Sequence, residues 1–171
     1  MKVTYIITGD LLAKAVKQET SLLAVRRNKE YKDGTIENMM DVLVMDEDYE
    51  ITFKRLMLDG KADIILNISS NMIVDTPTDL IPAYSEFPDF RQDRDFILHL
   101  NMHEDWPIQY KKTVENKIQQ YLIDYICYRW FETKSPNDSA IYFSHLTPTI
   151  EDVRRLLVRK KIPLQIQPTI Y

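Results

Sequence analysis

The sequence has few glycines and a single cysteine, and both shortages narrow the possible functions. Its three glycines, Gly9, Gly34 and Gly60, lie far apart. P-loops and dinucleotide-binding turns need clustered glycines, so that the backbone can approach a phosphate closely. Cys127 has no second cysteine to pair with, which excludes an internal disulfide and a cysteine-based zinc knuckle. These nucleotide-binding and disulfide-stabilised classes are therefore excluded.

Long apolar runs and a basic excess are also missing. No run of 18 apolar residues occurs, so we expect no membrane-spanning segment. The N-terminus lacks the apolar region and cleavage pattern of a signal peptide. The net charge is −4, so the chain as a whole lacks the basic character of a nucleic-acid-binding domain. The sequence predicts a soluble, intracellular protein without a membrane partner, and it makes nucleic acid an unexpected one.

The amount of apolar sequence present is enough for one well-packed core. The chain has 171 residues, of which 44% are hydrophobic, and this predicts a single domain over residues 1–171. Two β-branched and aromatic runs, VTYII and FILHL, are typical of short strands. Apolar spacing and capping residues predict three long helices and a shorter fourth, near 10–27, 47–72, 107–133 and 149–161. The predicted fold is mainly α: a bundle of three to four helices with a small β-sheet.

Several boundaries stay open at this stage. Asp59-Gly60 either bends the second helix or forms a turn that a strand in ADIILNI follows. Residues 135–138 and the Thr147-Pro148 pair are predicted to break helical structure. Residues 75–94 form a long loop, and residues 162–171 form an extended tail.

Candidate chemistry is sparse. His99 and His103, with Glu104 and Asp105 beside the second histidine, are the best metal candidates. Four-residue spacing brings two histidines together on a helix, but in the strand that FILHL predicts they stand about 13 Å apart. His145 follows Ser144 and is interpreted as an ordinary loop residue. We therefore predict no catalytic residue, no metal and no cofactor.

Aromatic and basic residues are the better candidates, for a protein interface. The loop carries Tyr84, Phe87 and Phe90, and the third helix carries Tyr128, Trp130 and Phe131. These aromatic types are enriched in interface cores, although the same helix could instead be the centre of a monomer. The last helix carries Arg154, Arg155, Arg159, Lys160 and Lys161. This basic run could face the acidic stretch at 46–50 of a second copy.

The order of these parts resembles a family of known proteins. FILHL leads into WPIQYKKTVENKIQQYLIDYICYRWFETKSPND and then into TIEDVRRLLVRKKIP. This arrangement resembles small virion-assembly proteins from phages and prophages of gut Bacteroides-type bacteria. It is similar, more distantly, to the helical head–tail connector (adaptor) proteins of tailed phages. The opening strand and the proline-rich aromatic loop depart from the connector pattern.

The resemblance implies a non-enzymatic structural protein: a head–tail connector, neck or tail-completion component. Its expected partners are copies of itself, in a ring, and other virion proteins, in the cytoplasm of a bacterial host or in the virion. Two alternatives stay open. One is a small metal-dependent hydrolase that uses His99, His103 and nearby carboxylates. The other is a nucleic-acid-binding regulator that uses Arg154 to Lys161.

Overall fold

The fold is known from a computed structural model, which describes residues 1–30, 42–68 and 95–160. Its elements, in chain order, are β1 (Lys2–Thr8), α1 (Gly9–Glu30), α2 (Glu50–Asn67), β2 (Asp95–Asn101), α3 (Lys111–Lys134) and α4 (Pro136–Leu157). Short 3₁₀ turns, Glu47–Tyr49 and Ile108–Tyr110, precede α2 and α3. The predicted fold class, mainly α with a small sheet, is confirmed. The loop at 75–94 and the tail at 162–171 lie outside the described residues.

The two strands pair antiparallel in one sheet. Residues alternate between its faces, because successive side chains of a strand point in opposite directions. The buried face carries three directly opposed pairs: Val3 and Leu100, Tyr5 and Leu98, Ile7 and Phe96. The outer face carries Ile6 opposite Ile97, each half exposed. Since a two-stranded sheet is marginal alone, its apolar face must pack on the helices to be stable.

Helix α3 lies at the centre of the molecule. It contacts α1, α2, α4 and β1, and its buried residues are distributed around the whole helix: Val114, Ile118, Tyr121, Leu122, Ile123, Asp124, Ile126, Cys127, Trp130 and Phe131. The apolar stretch at 121–133 is therefore covered mainly by its own chain. Most of this helix therefore lies in the core of its own chain, whereas Tyr125, Tyr128 and Arg129 keep exposed surface.

Helix α2 continues through Gly60, so the alternative of a turn followed by a strand is wrong. A Cβ atom at Gly60 would lie 3.1 Å from Leu122 Cδ2 and 3.1 Å from Tyr125 Cδ1. The missing side chain thus lets α2 approach α3 closely. The helix ends at Asn67, short of the predicted 72, because Ile68 is already extended.

The predicted short last helix at 149–161 is wrong at both ends. Helix α4 begins at Pro136, runs through Pro148 and ends at Leu157. Pro136 occupies the first turn, where its missing N–H costs nothing. Apart from Asp138, the buried residues of α4 recur at helical spacing on both sides of Pro148: Ser139, Leu146, Ile150, Val153 and Leu157. His145, predicted in a loop, therefore lies within a helix.

Candidate functional site

The aromatic residues predicted on α3 divide between the core and the surface. Trp130 is 5% exposed and Phe131 is 0% exposed. The Trp130 indole N–H donates to the Leu43 carbonyl at 2.8 Å, and the Phe131 ring stacks on Tyr142 at 5.7 Å. Both side chains are thus used inside the chain and leave little surface for a partner. Tyr128 is partly exposed; the loop residues Tyr84, Phe87 and Phe90 lie outside the described residues.

Tyr128 belongs to a continuous row of rings that runs from the core to the surface. Tyr121 stacks on Tyr125 with centroids 6.4 Å apart, and Tyr125 meets Tyr128 edge-on at 6.3 Å. The row ends at Phe143 of α4, 5.1 Å from Tyr128 and 57% exposed. The Arg129 guanidinium lies 5.9 Å from the Tyr128 ring. We call Tyr125, Tyr128, Arg129 and Phe143 the aromatic surface.

Helix spacing and one helix–helix contact place this surface. Tyr121, Tyr125 and Tyr128 are four and three residues apart, so they share one face of α3. The chain reverses at Ser135, which brings α4 back along α3 and Phe143 against Tyr128. The Ser139 hydroxyl fixes this pairing by donating to the Tyr128 carbonyl at 3.0 Å. Phe143 does not stand out in the sequence, because the predicted helices end at 133 and resume only at 149, whereas the observed helix covers Pro136–Leu157.

The inner end of the ring row is held by a hydrogen-bond network. The Tyr121 hydroxyl donates to the Asp63 carboxylate, and the Asn67 amide donates to the same carboxylate at 3.2 Å. Burial and the nearby Asp63 raise the pKa of Tyr121, so the hydroxyl stays a donor. Arg154 donates to the Asn67 carbonyl at 2.6 Å and to its side-chain oxygen at 3.0 Å. This network ties α2, α3 and α4 together beneath the aromatic surface.

The basic residues of α4 face solvent but are not all available to a partner. Arg154 donates hydrogen bonds to Asn67, so its guanidinium is already used within the chain. Arg155 is 3.7 Å from Glu151 and 3.9 Å from Asp152, yet its side chain stays 76% exposed. The Arg159 guanidinium lies 5.1 Å from the Tyr110 ring. Lys160 is exposed, and Lys161 lies outside the described residues.

The fold adds two lysines that sequence reasoning missed. Trp106 donates to the Leu156 carbonyl at 2.9 Å, so the start of α3 lies beside the end of α4. Lys111 and Lys112, both exposed, therefore join the basic residues of α4. We call this group the basic end of the molecule: Lys111, Lys112, Arg155, Arg159 and Lys160. The two lysines are visible in the polar start of the predicted third helix. Their place beside the basic residues of α4 depends on the antiparallel packing of α3 and α4, which the sequence does not show.

The two metal candidates do not come together. His99 lies on the outer sheet face, where its Nδ1 is 2.9 Å from the Thr4 hydroxyl. His103 lies beyond the strand, 3.4 Å from the Asp105 carboxylate. Across residues 1–30, 42–68 and 95–160, no three histidine, cysteine or acidic side chains are grouped so that they could hold a metal. The geometry does not support the hydrolase alternative at these residues.

One buried carboxylate lies beside a histidine. The Asp124 carboxylate accepts from the Gln120 amide at 3.2 Å, and His145 Nδ1 is 3.7 Å away. Burial raises the pKa of Asp124 and also that of the nearby Cys127 thiol, which keeps the thiol protonated and unreactive. The Ser144 hydroxyl donates to the Ile141 carbonyl at 2.6 Å. Neither Cys127 nor Ser144 is therefore set up as a nucleophile for this pair.

A cleft of about 260 Å³ lies between the starts of α1 and α2. Its apolar wall includes Met45, Phe53 and Met57. Four of the charged residues that line it form two ion pairs: Lys17 with Glu47 at 2.8 Å, and Lys54 with Glu50 at 2.8 Å. These four charges are therefore already used within the chain.

Comparisons with known proteins identify no relative of this chain. None of the helices in the described ranges is long and apolar enough to cross a membrane. No protein-family model, curated protein or solved structure matches the chain.

Proposed function

We propose that the protein is a non-enzymatic assembly component of a phage or prophage virion, acting as a head–tail connector, neck or tail-completion part. It works in the cytoplasm of a bacterial host and in the virion, where it docks to copies of itself and to other virion proteins. The order of sequence elements suggests the virion family. The aromatic surface supports docking as the mode of action.

The observation that carries the proposal is the exposure of Phe143 beside Tyr128 and Arg129. Covering a large apolar side chain is worth about 1.5–3 kcal/mol relative to leaving it in water. Tyrosine, phenylalanine and arginine are enriched in interface cores, and tyrosine and arginine are frequent energetic hot spots. Burying this surface against a partner would therefore contribute favourable free energy to association.

The rings of the aromatic surface are also held in place by contacts within the isolated chain. They continue into the buried Tyr121, which the Asp63 and Asn67 network fixes. Side chains that are already ordered lose less conformational entropy on association. This favours a docking function over an incidental exposed ring.

Substituting Phe143→Ala tests the proposal. We expect the variant to stay folded by circular dichroism, because the side chain is mostly exposed, and to lose association by about 30-fold, which is the effect of a 2 kcal/mol hot spot. Sedimentation would be measured on the purified chain and on its mixtures with the products of the genes that flank its own. The control is Leu22→Ala, which removes an apolar side chain that is 54% exposed on α1 and should change nothing. A wild type that stays monomeric alone and in every mixture would contradict the proposal.

A further inference from the structure

The charges of the molecule are separated along α3. An acidic patch, formed by Asp46, Glu47, Asp48 and Glu50, lies near the C-terminal end of this helix, because the Tyr49 ring meets the Trp130 ring at 4.7 Å. Glu47 is 85% exposed. Lys17 and Lys54 pair with two of the four carboxylates, and Lys134 lies 4.8 Å from the Tyr49 ring, near Asp46. Four carboxylates against three lysines leave the patch with a net charge of −1.

The basic end lies at the opposite end of the same helix. Its side chains are well exposed, for example Lys112 at 73%. Acidic residues also lie at this end: Glu115, Glu151 and Asp152 pair with basic side chains, and the exposed Glu104 and Asp105 precede Trp106. With Lys117, which pairs with Asp152, and Arg154 included, seven basic residues against five acidic ones leave a net charge of +2. Nineteen residues separate Lys111 from Trp130, which places the two patches about 28 Å apart at 1.5 Å per residue.

The position of the lysines is unfavourable for the chain itself. Lys111 and Lys112 occupy the first turn of α3, which contains no acidic residue. The helix dipole makes this end positive and favours carboxylates there. Among the residues that the structure describes, Lys112 pairs with Glu115 at 3.0 Å and Lys111 has no acidic partner, so an acidic partner surface would offset the charge of this helix start.

From these charges we infer that one copy docks its basic end onto the acidic patch of a second copy, head to tail. Because the two patches are different surfaces on opposite ends, the contact is heterologous rather than two-fold, and it can repeat from copy to copy. Complementary charge of this kind sets orientation and association rate. The inference rests on the proposed function and specifies how copies would associate.

Two charge reversals and their mixture test the inference. We expect wild type to self-associate at about 0.01 M salt and to weaken at least tenfold at about 0.15 M, because screening shortens the range of the charges. K111E/K112E and E47K/D48K should each lose association at least tenfold when alone. Their equimolar mixture should regain it, since each variant then meets the opposite charge on the other. Sedimentation velocity measures all four samples.

The control is R26E/R55E, which makes the same charge change at exposed positions of α1 and α2 and should associate as wild type does. Thermal melting of the single variant K111E adds a second readout: it should melt higher than wild type, because a glutamate suits a helix start and Lys112 keeps its pair with Glu115. Lysines that merely held the fold together would give a lower melting temperature. A mixture that stays monomeric, or a wild type that binds a double-stranded oligonucleotide but never itself, would overturn the inference. If the reversals leave association intact while Phe143→Ala removes it, the proposed function stands and the head-to-tail contact falls.

Discussion

At the residue scale, Tyr5 is a buried tyrosine whose hydroxyl group is unpaired among the described residues. It faces the core from β1, opposite Leu98, and is 0% exposed. Within residues 1–30, 42–68 and 95–160 its hydroxyl has no hydrogen-bond partner, and burial raises its pKa. An unpaired buried hydroxyl loses its hydrogen bonds to water without replacement, which costs about 1–3 kcal/mol.

Replacing this hydroxyl by hydrogen should therefore stabilise the protein. We expect Tyr5→Phe to raise the free energy of unfolding by about 1 kcal/mol, measured by urea denaturation. The matched control is Tyr121→Phe, which removes a hydroxyl that donates to the Asp63 carboxylate. That variant should lose about 1.5–3 kcal/mol, the range for a hydrogen bond to a charged group. Equal losses in both variants would show that the Tyr5 hydroxyl has a partner after all.

Sequence alone could not sort the aromatic residues of α3 into core and surface. Apolar side chains surround the whole helix, so no stripe distinguishes Tyr128 from Trp130. The difference comes from residues distant in sequence: Leu43 accepts from the Trp130 indole. Lys134 lies 3.4 Å from the centroid of a Trp130 ring and donates to the Val42 carbonyl at 2.9 Å. Such contacts follow from tertiary packing, which local pattern does not contain.

At the element scale, the spacing of apolar residues predicts the helices and strands better than the positions of proline and glycine do. The two strands and the three long helices were predicted within a few residues, because their apolar spacing or β-branched runs are strong. Helix α4 was missed over its first half because Pro136 and Thr147-Pro148 were interpreted as breaks. The buried Leu146 and Ile150 on either side of Pro148 carry the helical spacing that overrides it. Pro148 is itself exposed, so water can reach the Ser144 carbonyl that loses its partner.

The proline should still weaken α4. It removes one helical hydrogen bond and crowds the preceding turn, and its helix propensity is about 3 kcal/mol below that of alanine. We expect Pro148→Ala to increase the free energy of unfolding by roughly 1–3 kcal/mol, because the greater entropy of the unfolded chain offsets part of the gain. Urea denaturation measures it, and Thr147→Ala is the exposed neighbouring control. A destabilised Pro148→Ala would mean that the proline fits the local backbone better than a regular helical residue.

At the scale of the whole molecule, the functional proposals depend on which ends of helices meet. The basic residues of α4 were found from sequence, whereas Lys111 and Lys112 were not. They join the same surface only because α3 and α4 run antiparallel, with Trp106 against Leu156. Local periodicity predicts that a helix exists, but it does not say what lies beside its end.

One core cluster joins both ends of α3, and this predicts cooperative unfolding. Trp106 and Trp130 are both buried, one beside the basic end and the other beside the acidic patch. In Trp106→Phe and Trp130→Phe, the remaining tryptophan reports on one end of the molecule. Each variant should lose about 0.5–1.5 kcal/mol through its missing hydrogen bond, to Leu156 or to Leu43. Within each variant, tryptophan fluorescence and far-ultraviolet circular dichroism should give the same urea midpoint, because a single core melts as a unit. A fluorescence midpoint that precedes the dichroism midpoint in one variant alone would show that its end unfolds separately.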